Sequence, residues 1–177
     1  MTRLVLSAAL LALATPAFAQ DACPTPEMEA VMTALPGTWT LHLQGGTQTV
    51  AGAAAAVLPA ADPMPATVEA MGDTAVLNAG DLGPLGLYWA VEGQTAPLGA
   101  VMPDGTVTYV DTAVTGPCNP ADLPRLIGGG TGVTAETAGV EVTLDLYAFA
   151  PDLYSGSLTV TRGDTVEVRI VTMDRPE

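Results

Sequence analysis

The sequence predicts an all-β fold, an antiparallel meander of about eight strands closing into a barrel behind one short helix. Three observations carry that prediction. Beyond residue 37, apolar side chains recur at every second position in segment after segment. Turn-forming tripeptides, Pro103-Asp104-Gly105 and Arg162-Gly163-Asp164, separate such segments as hairpins require. Only one stretch, around Met28, carries the 3.6-residue period of a helix.

The elements follow in order. Met1-Thr2-Arg3 is a cationic start, and Leu4 to Ala14 is an apolar run too short to span a bilayer. Pro16 breaks the run, and Ala17-Phe18-Ala19 has the small-x-small pattern of a signal-peptidase site. Residues 1–19 are therefore expected to be a signal peptide, with cleavage at Ala19-Gln20 and a periplasmic or secreted product. A lipid anchor is disfavoured, because the position three before Cys23 is Gln20 and not an aliphatic residue. Residues 20–36 form an N-terminal segment with the short helix, and 37–177 a single barrel domain. Thr25 is expected to cap that helix, Pro26 to occupy its first turn, and Glu27 and Glu29 to meet its positive end. Met28, Val31, Met32 and Leu35 make one apolar stripe, read as a plug against the core, and Pro36-Gly37 stops the helix.

From Thr38 the period is two. Trp39, Leu41 and Leu43 share one face, with Thr38, Thr40 and His42 on the other. Leu87, Trp89 and Val91 form a second apolar row. Val140, Val142, Leu144, Leu146 and Ala148 form a third, opposed by Glu141, Thr143, Asp145 and Tyr147. Thr74–Ala79 and Thr106–Val114 are also strand-like. If one face alone is buried, Leu158 and Val160 must share it with Val166, Val168 and Ile170. That register pairs Val160 with Val166 and predicts a three-residue loop at Arg162-Gly163-Asp164. Ala51–Pro65, rich in alanine and proline, reads as a long loop or frayed edge. Thr115–Thr131 reads as an irregular crossing whose Gly128-Gly129-Gly130 run is a flexible loop.

Composition removes several functions. The chain has 19 acidic residues against five arginines and no lysine, a formal charge of −14. Such a surface repels phosphate backbones and anionic lipid heads, so nucleic acid is excluded as a partner and no stable membrane insertion is expected. An outer-membrane barrel would need longer spans with an apolar outer band. Low charge density with abundant Ala, Val and Thr argues for a folded monomer. Cys23 and Cys118, an even pair in an exported chain, are expected to form a disulfide. In the chain-entropy model a bridge closing so long a loop contributes about 4 kcal/mol.

Chemistry is hard to find. His42 is the single histidine and sits on the polar face. The serines beyond the leader are Ser155 and Ser157, flanking Gly156 without a nucleophile elbow. Zinc lacks ligands, calcium lacks a spaced oxygen loop, and no cofactor or metal is expected. Glu141 and Asp145 read as a solvated acidic stripe, and the Gly-rich run lacks the Lys-Ser/Thr ending of a phosphate loop. Arg162-Gly163-Asp164 spells an adhesion tripeptide that turn chemistry explains by itself.

Leu35-Pro36-Gly37-Thr38-Trp39-Thr40-Leu41, a helix entering a Gly-x-Trp strand, resembles the opening of the calycins, the lipocalin and fatty-acid-binding-protein superfamily. The resemblance implies a lipocalin-like barrel in which Trp39 closes one end and packs under an arginine from the last strand, Arg169 or Arg175. The small periplasmic metalloprotease inhibitors of bacteria are similar in the same opening, and imply a protein partner instead. The expectation is a non-enzymatic exported barrel binding a small apolar or amphipathic ligand, with Trp39, Leu41, Trp89, Leu144 and Leu146 lining it. The alternatives are an envelope-protein interaction module acting through Ala51–Pro65 or Thr115–Thr131, or a barrel filled by its own side chains.

Overall fold

The computed structural model describes residues 23, 25–90, 99–101, 107–109, 114–116, 118–131 and 139–176. The leader and its cleavage junction, Val91, the Pro103-Asp104-Gly105 turn and most of Thr106–Val114 lie outside the described residues. One helix, α1 (Met28–Ala34), is followed by β1 (Gly37–Val50), β2 (Ala56–Leu58), β3 (Met64–Met71), β4 (Thr74–Asn78) and β5 (Pro84–Trp89). Then come β6 (Gly99–Val101), β7 (Val107–Tyr109), β8 (Arg125–Thr131), β9 (Val140–Ala150), β10 (Leu153–Arg162) and β11 (Thr165–Asp174).

Eight of these strands form an antiparallel ring in the order β1-β3-β4-β5-β8-β9-β10-β11, and β11 pairs back onto β1. The protein is a closed antiparallel barrel. Closure leaves no long free edge, which a meander of this length otherwise exposes. Short β2 adds to the far half of β1, on the side that β3 takes along the near half. A register shift between Leu43 and Gly46 bends β1 so that it can serve both. β6 and β7 form a separate two-stranded sheet.

Alternation works as the sequence implies along β1 and β9. Trp39, Leu41, Leu144, Leu146 and Ala148 are fully buried in one core with Leu77, Leu85, Leu87, Leu126, Tyr154 and Met173. Each large side chain so buried contributes about 1.5–3 kcal/mol. The fit depends on glycine. Gly128 and Gly130 of β8 face inward, and a Cβ on Gly128 would stand 2.6 Å from Leu87 Cδ2. One on Gly130 would stand 2.9 Å from Leu85 Cδ2. The Gly-rich run is therefore a strand whose missing side chains make room for leucines, and the flexible-loop expectation is corrected.

The β10–β11 register is also corrected. Leu158 pairs with Arg169, Val160 with Glu167 and Arg162 with Thr165, leaving a two-residue Gly163-Asp164 loop. Gly163 has φ +55°, which suits the first central position of such a turn. Val166, Val168 and Ile170 thus face outward. The expectation failed because it assumed a single buried face. Here the outer wall is covered too: Ile170, Tyr147 and Phe149 pack with Val114, Leu123 and Cys118 in a second cluster. The polar pair turned inward by this register neutralises itself, with Arg169 Nε 2.5 Å from Glu167 Oε1.

Cys23 and Cys118 form a disulfide, which holds the N-terminal segment to the covered wall. The helix begins later than Thr25 and Pro26 imply. Glu27 is its N-cap: its carbonyl accepts the first helical hydrogen bond from Val31 N, and no side chain caps the free N–H groups of the first turn. Its stripe divides: Val31 and Leu35 are buried, whereas Met28 and Met32 are 40% and 48% exposed.

Replacing Gly128 by valine should destabilise the barrel by about 1–3 kcal/mol, because Leu87 and Leu144 must move. Gly129→Val, the exposed neighbour on the same strand whose added Cβ would meet nothing nearer than 3.8 Å, is the comparison for backbone effects alone. Equal losses in a urea titration would remove the packing role assigned to Gly128.

Candidate functional site

The helix-capped end of the barrel gathers three aromatic residues. Trp39 enters on β1, Tyr154 on β10 and Trp89 at the end of β5. Trp39 and Tyr154 meet edge to face with ring centres 5.3 Å apart, and Trp89 lies 6.4 Å from Tyr154. The indole Nε1 of Trp39 donates to the Leu35 carbonyl at 2.7 Å. The Tyr154 hydroxyl donates to the Val31 carbonyl at 3.2 Å. Both polar tips thus point at the helix, where backbone acceptors would otherwise be stranded under the plug.

Arg175 lies immediately after β11 and covers a face of Trp39, its Cζ 4.0 Å from the ring centre. Its Nη1 donates to Thr38 O at 2.9 Å. Its Nη2 donates to Pro36 O at 3.0 Å and also to Ala34 O. One guanidinium therefore caps the helix C-terminus, as a cation should, and stacks on an aromatic face. Gly37 is required between them. Its φ is +128°, and a Cβ there would stand 2.6 Å from Arg175 Nη1.

Arg175, not Arg169, is the arginine on the indole. Arg169 sits toward the opposite end, where its Nη1 donates to Pro59 O at 2.7 Å and to Gln44 O at 3.4 Å. It pins the β2–β3 connection across the bend in β1.

Beside the plug, an apolar cleft of about 150 Å³ opens between α1, the β3–β4 turn, β5 and β8. Met32, Leu35, Leu87, Trp89 and Leu126 line its floor, with Ala70 and Asp73 at its margin. Of the residues expected to line a site, only Trp89 borders this cleft. Trp39, Leu41, Leu144 and Leu146 are core residues at full burial. Met32 and Ala70 were missed, since sequence alone does not show which part of a helical stripe the core leaves uncovered.

The remaining chemistry-bearing residues are scattered. His42 Nε2 lies 3.2 Å from Asp174 Oδ1 on the outer wall, both side chains well exposed. Asp145 is not part of a solvated stripe: it is paired with Arg125, and both are largely buried. Arg125 also lies 5.8 Å from the Tyr147 ring centre, so this pair braces the covered wall. Among the described residues no three His, Cys, Asp or Glu side chains are placed to hold a metal. Among them, too, no helix is long and apolar enough to cross a membrane.

The class defined by this geometry is a filled, closed antiparallel barrel plugged by a helix at its tryptophan end. No protein-family model and no curated protein matches the chain. Among solved structures the chain is similar to a redesigned β-barrel, at 15% identity over 84% of this chain and 96% of that one, with a TM-score of 0.40. The architecture stands on the strand pairing alone.

Two outcomes are expected. Arg175→Ala should cost about 2–3 kcal/mol, because it uncovers Trp39 and strips donors from three carbonyls. Arg162→Ala, at the far hairpin, should change stability by no more than about 0.5 kcal/mol; equal effects in denaturant unfolding would refute the capping role. The second concerns pH. Burial pushes the Tyr154 hydroxyl well above its ordinary value, with the Arg175 charge opposing and Asp152 reinforcing the shift. The folded state therefore favours neutral tyrosine, and its contribution is complete below the unfolded value of about 10 and lost as pH rises further. Wild-type stability should fall above about pH 10 more steeply than that of Tyr154→Phe, which itself should lose about 1 kcal/mol at neutral pH. Parallel curves would remove Tyr154 as the cause.

Proposed function

We propose that this chain is a non-enzymatic, exported, calycin-like barrel that recognises a small apolar group at its helix-capped mouth. The observation that carries the reading is the cleft beside Trp89: an apolar recess left open where the plug covers only half of its own stripe. Its volume of about 150 Å³ is well below the roughly 300–1,000 Å³ of sites for whole drug-sized ligands. It is comparable to cavities of about 150 Å³ that take benzene or xenon. The occupant is therefore one aliphatic or aromatic group, not an entire lipid, and the barrel axis is occupied by the protein's own side chains.

The calycin-like part is supported by the indole–guanidinium stack of Trp39 and Arg175, the feature that the Gly-x-Trp resemblance implies. Export is supported by the Cys23–Cys118 disulfide, which belongs in an oxidising compartment, and by the signal-like leader. A water-facing barrel is supported by its polarity. The apolar residues of β1 and β9 point inward and Thr38, Glu141 and Thr143 outward, the reverse of a membrane barrel. A non-enzymatic role is supported by the sequence, whose serines beyond the leader, Ser155 and Ser157, lack a nucleophile elbow.

Titration with 3-methyl-1-butanol, followed by the NMR shift of the Trp89 indole, should saturate. Ala70→Phe, at an exposed position on the cleft margin, should abolish that response while changing stability by no more than about 0.5 kcal/mol. A response that does not saturate, or that survives the filled cleft, would sink the reading.

A further inference from the structure

We infer that the natural occupant of the cleft is a segment of a partner protein in which an aliphatic side chain is flanked by lysine or arginine. The inference rests on the reading of the cleft as an apolar recognition site and adds the chemistry of what enters it.

Charge complementarity is the first argument. Asp73 lines the cleft, and Glu69 stands exposed on β3 close by. Glu27 and Glu29 lie at the start of α1, and Asp152 in the β9–β10 turn at the same end of the barrel. Among the described residues none of these five carboxylates forms an ion pair. One arginine stands among them: Arg175, stacked on Trp39 and donating to three neutral carbonyls, keeps its positive charge and lines the same surface as Asp152. Arg125 and Arg169 are paired with Asp145 and Glu167, and Arg162 stands at the opposite end. With no lysine in the chain, the field at the mouth is negative, so an anionic occupant is repelled and a cationic one is drawn in. An anionic lipid surface is repelled for the same reason.

Shape is the second argument, and it favours a polypeptide over a small cationic amphiphile. The cleft holds one side chain, but apolar surface continues beyond it. Met28 lies one helical turn from Met32 on the same face of α1, about 5.4 Å along the axis. The thioethers of Met32 and Met28 thus extend the apolar bank along α1, and such flexible side chains adapt to a chain laid along them. A segment with its aliphatic residue in the cleft carries a flanking cation to Asp73, the carboxylate that lines it, within the negative field of that end.

The test uses four capped pentapeptides on the full mature chain, followed by the Trp89 indole shift: Lys-Lys-Leu-Lys-Lys, Ser-Ser-Leu-Ser-Ser, Glu-Glu-Leu-Glu-Glu and Lys-Lys-Ser-Lys-Lys. The basic leucine peptide should bind about tenfold more tightly than the neutral one at low salt, and the advantage should shrink to about twofold near 0.5 M salt. The double variant Glu69→Gln, Asp73→Asn should reduce that advantage, and Ala70→Phe should remove leucine-dependent binding. Equal binding of the basic and neutral leucine peptides overturns the inference while leaving apolar recognition intact. Equal binding of the two lysine peptides also overturns it, since charge alone would then suffice. Failure of every leucine peptide together with 3-methyl-1-butanol marks failure of the underlying reading instead. Saturation by the alcohol with no leucine peptide bound points to a small-molecule occupant, and overturns the polypeptide claim.

Discussion

The guanidinium of Arg175 lies where the beginning and the end of the barrel meet, and the remaining architecture depends on its position. A closed meander must bring its first strand against its last, two segments separated by almost the whole domain. Arg175 reaches across that seam to the carbonyls of Ala34, Pro36 and Thr38 while covering the indole of Trp39. The seam, the helix C-terminus and the floor of the core are thereby held by one residue. Gly37 is part of the same arrangement, because a side chain there would occupy the volume of the guanidinium. Trp39 and Tyr154 complete it from inside by meeting helix carbonyls that water cannot reach. The plug is seated by hydrogen bonds as much as by the apolar contacts of Val31 and Leu35.

The two faces of the wall are used unevenly. Most strands bury the inner face only, yet β9 and β11 also bury part of the outer one beneath the segment that carries Cys118 and Leu123. The disulfide, the Arg125–Asp145 pair and this second cluster act in one place, so the N-terminal segment is anchored to a braced wall. The two ends of the barrel differ as well. One is stitched by Arg169 across the bend in β1. The other leaves an apolar recess beside a helix whose methionines are half exposed. A binding role is assigned to the second end because there an open apolar recess lies beside an excess of unpaired carboxylates among the described residues.

Much of the fold was legible because its main signal is local. Period two along Thr38–Leu43 and Val140–Ala148 is a property of the strand itself, and it correctly named Trp39, Leu41, Leu144 and Leu146 as inward. Where the local signal was read with an added assumption, it failed. Val166, Val168 and Ile170 look like an inner row until a loop from elsewhere in the chain covers the outer wall. Gly128–Gly130 looks like a loop until Leu85 and Leu87 on a neighbouring strand need the space. Thr25 looks like a cap until the chain before Met28 is drawn toward Cys118.

The amino-acid sequence by itself determined the all-β class, the helix ahead of the first strand, the apolar inner rows of β1 and β9, and the cysteines that pair. Each follows from short-range periodicity or from counting residues of one kind. Only the tertiary structure decided that Arg175 and not Arg169 covers the tryptophan, that a two-residue loop sets the last register, and that Met32 and Trp89 border an open recess. Those outcomes turn on which surfaces meet across distant parts of the chain, and periodicity within one strand carries no information about what packs on its far side.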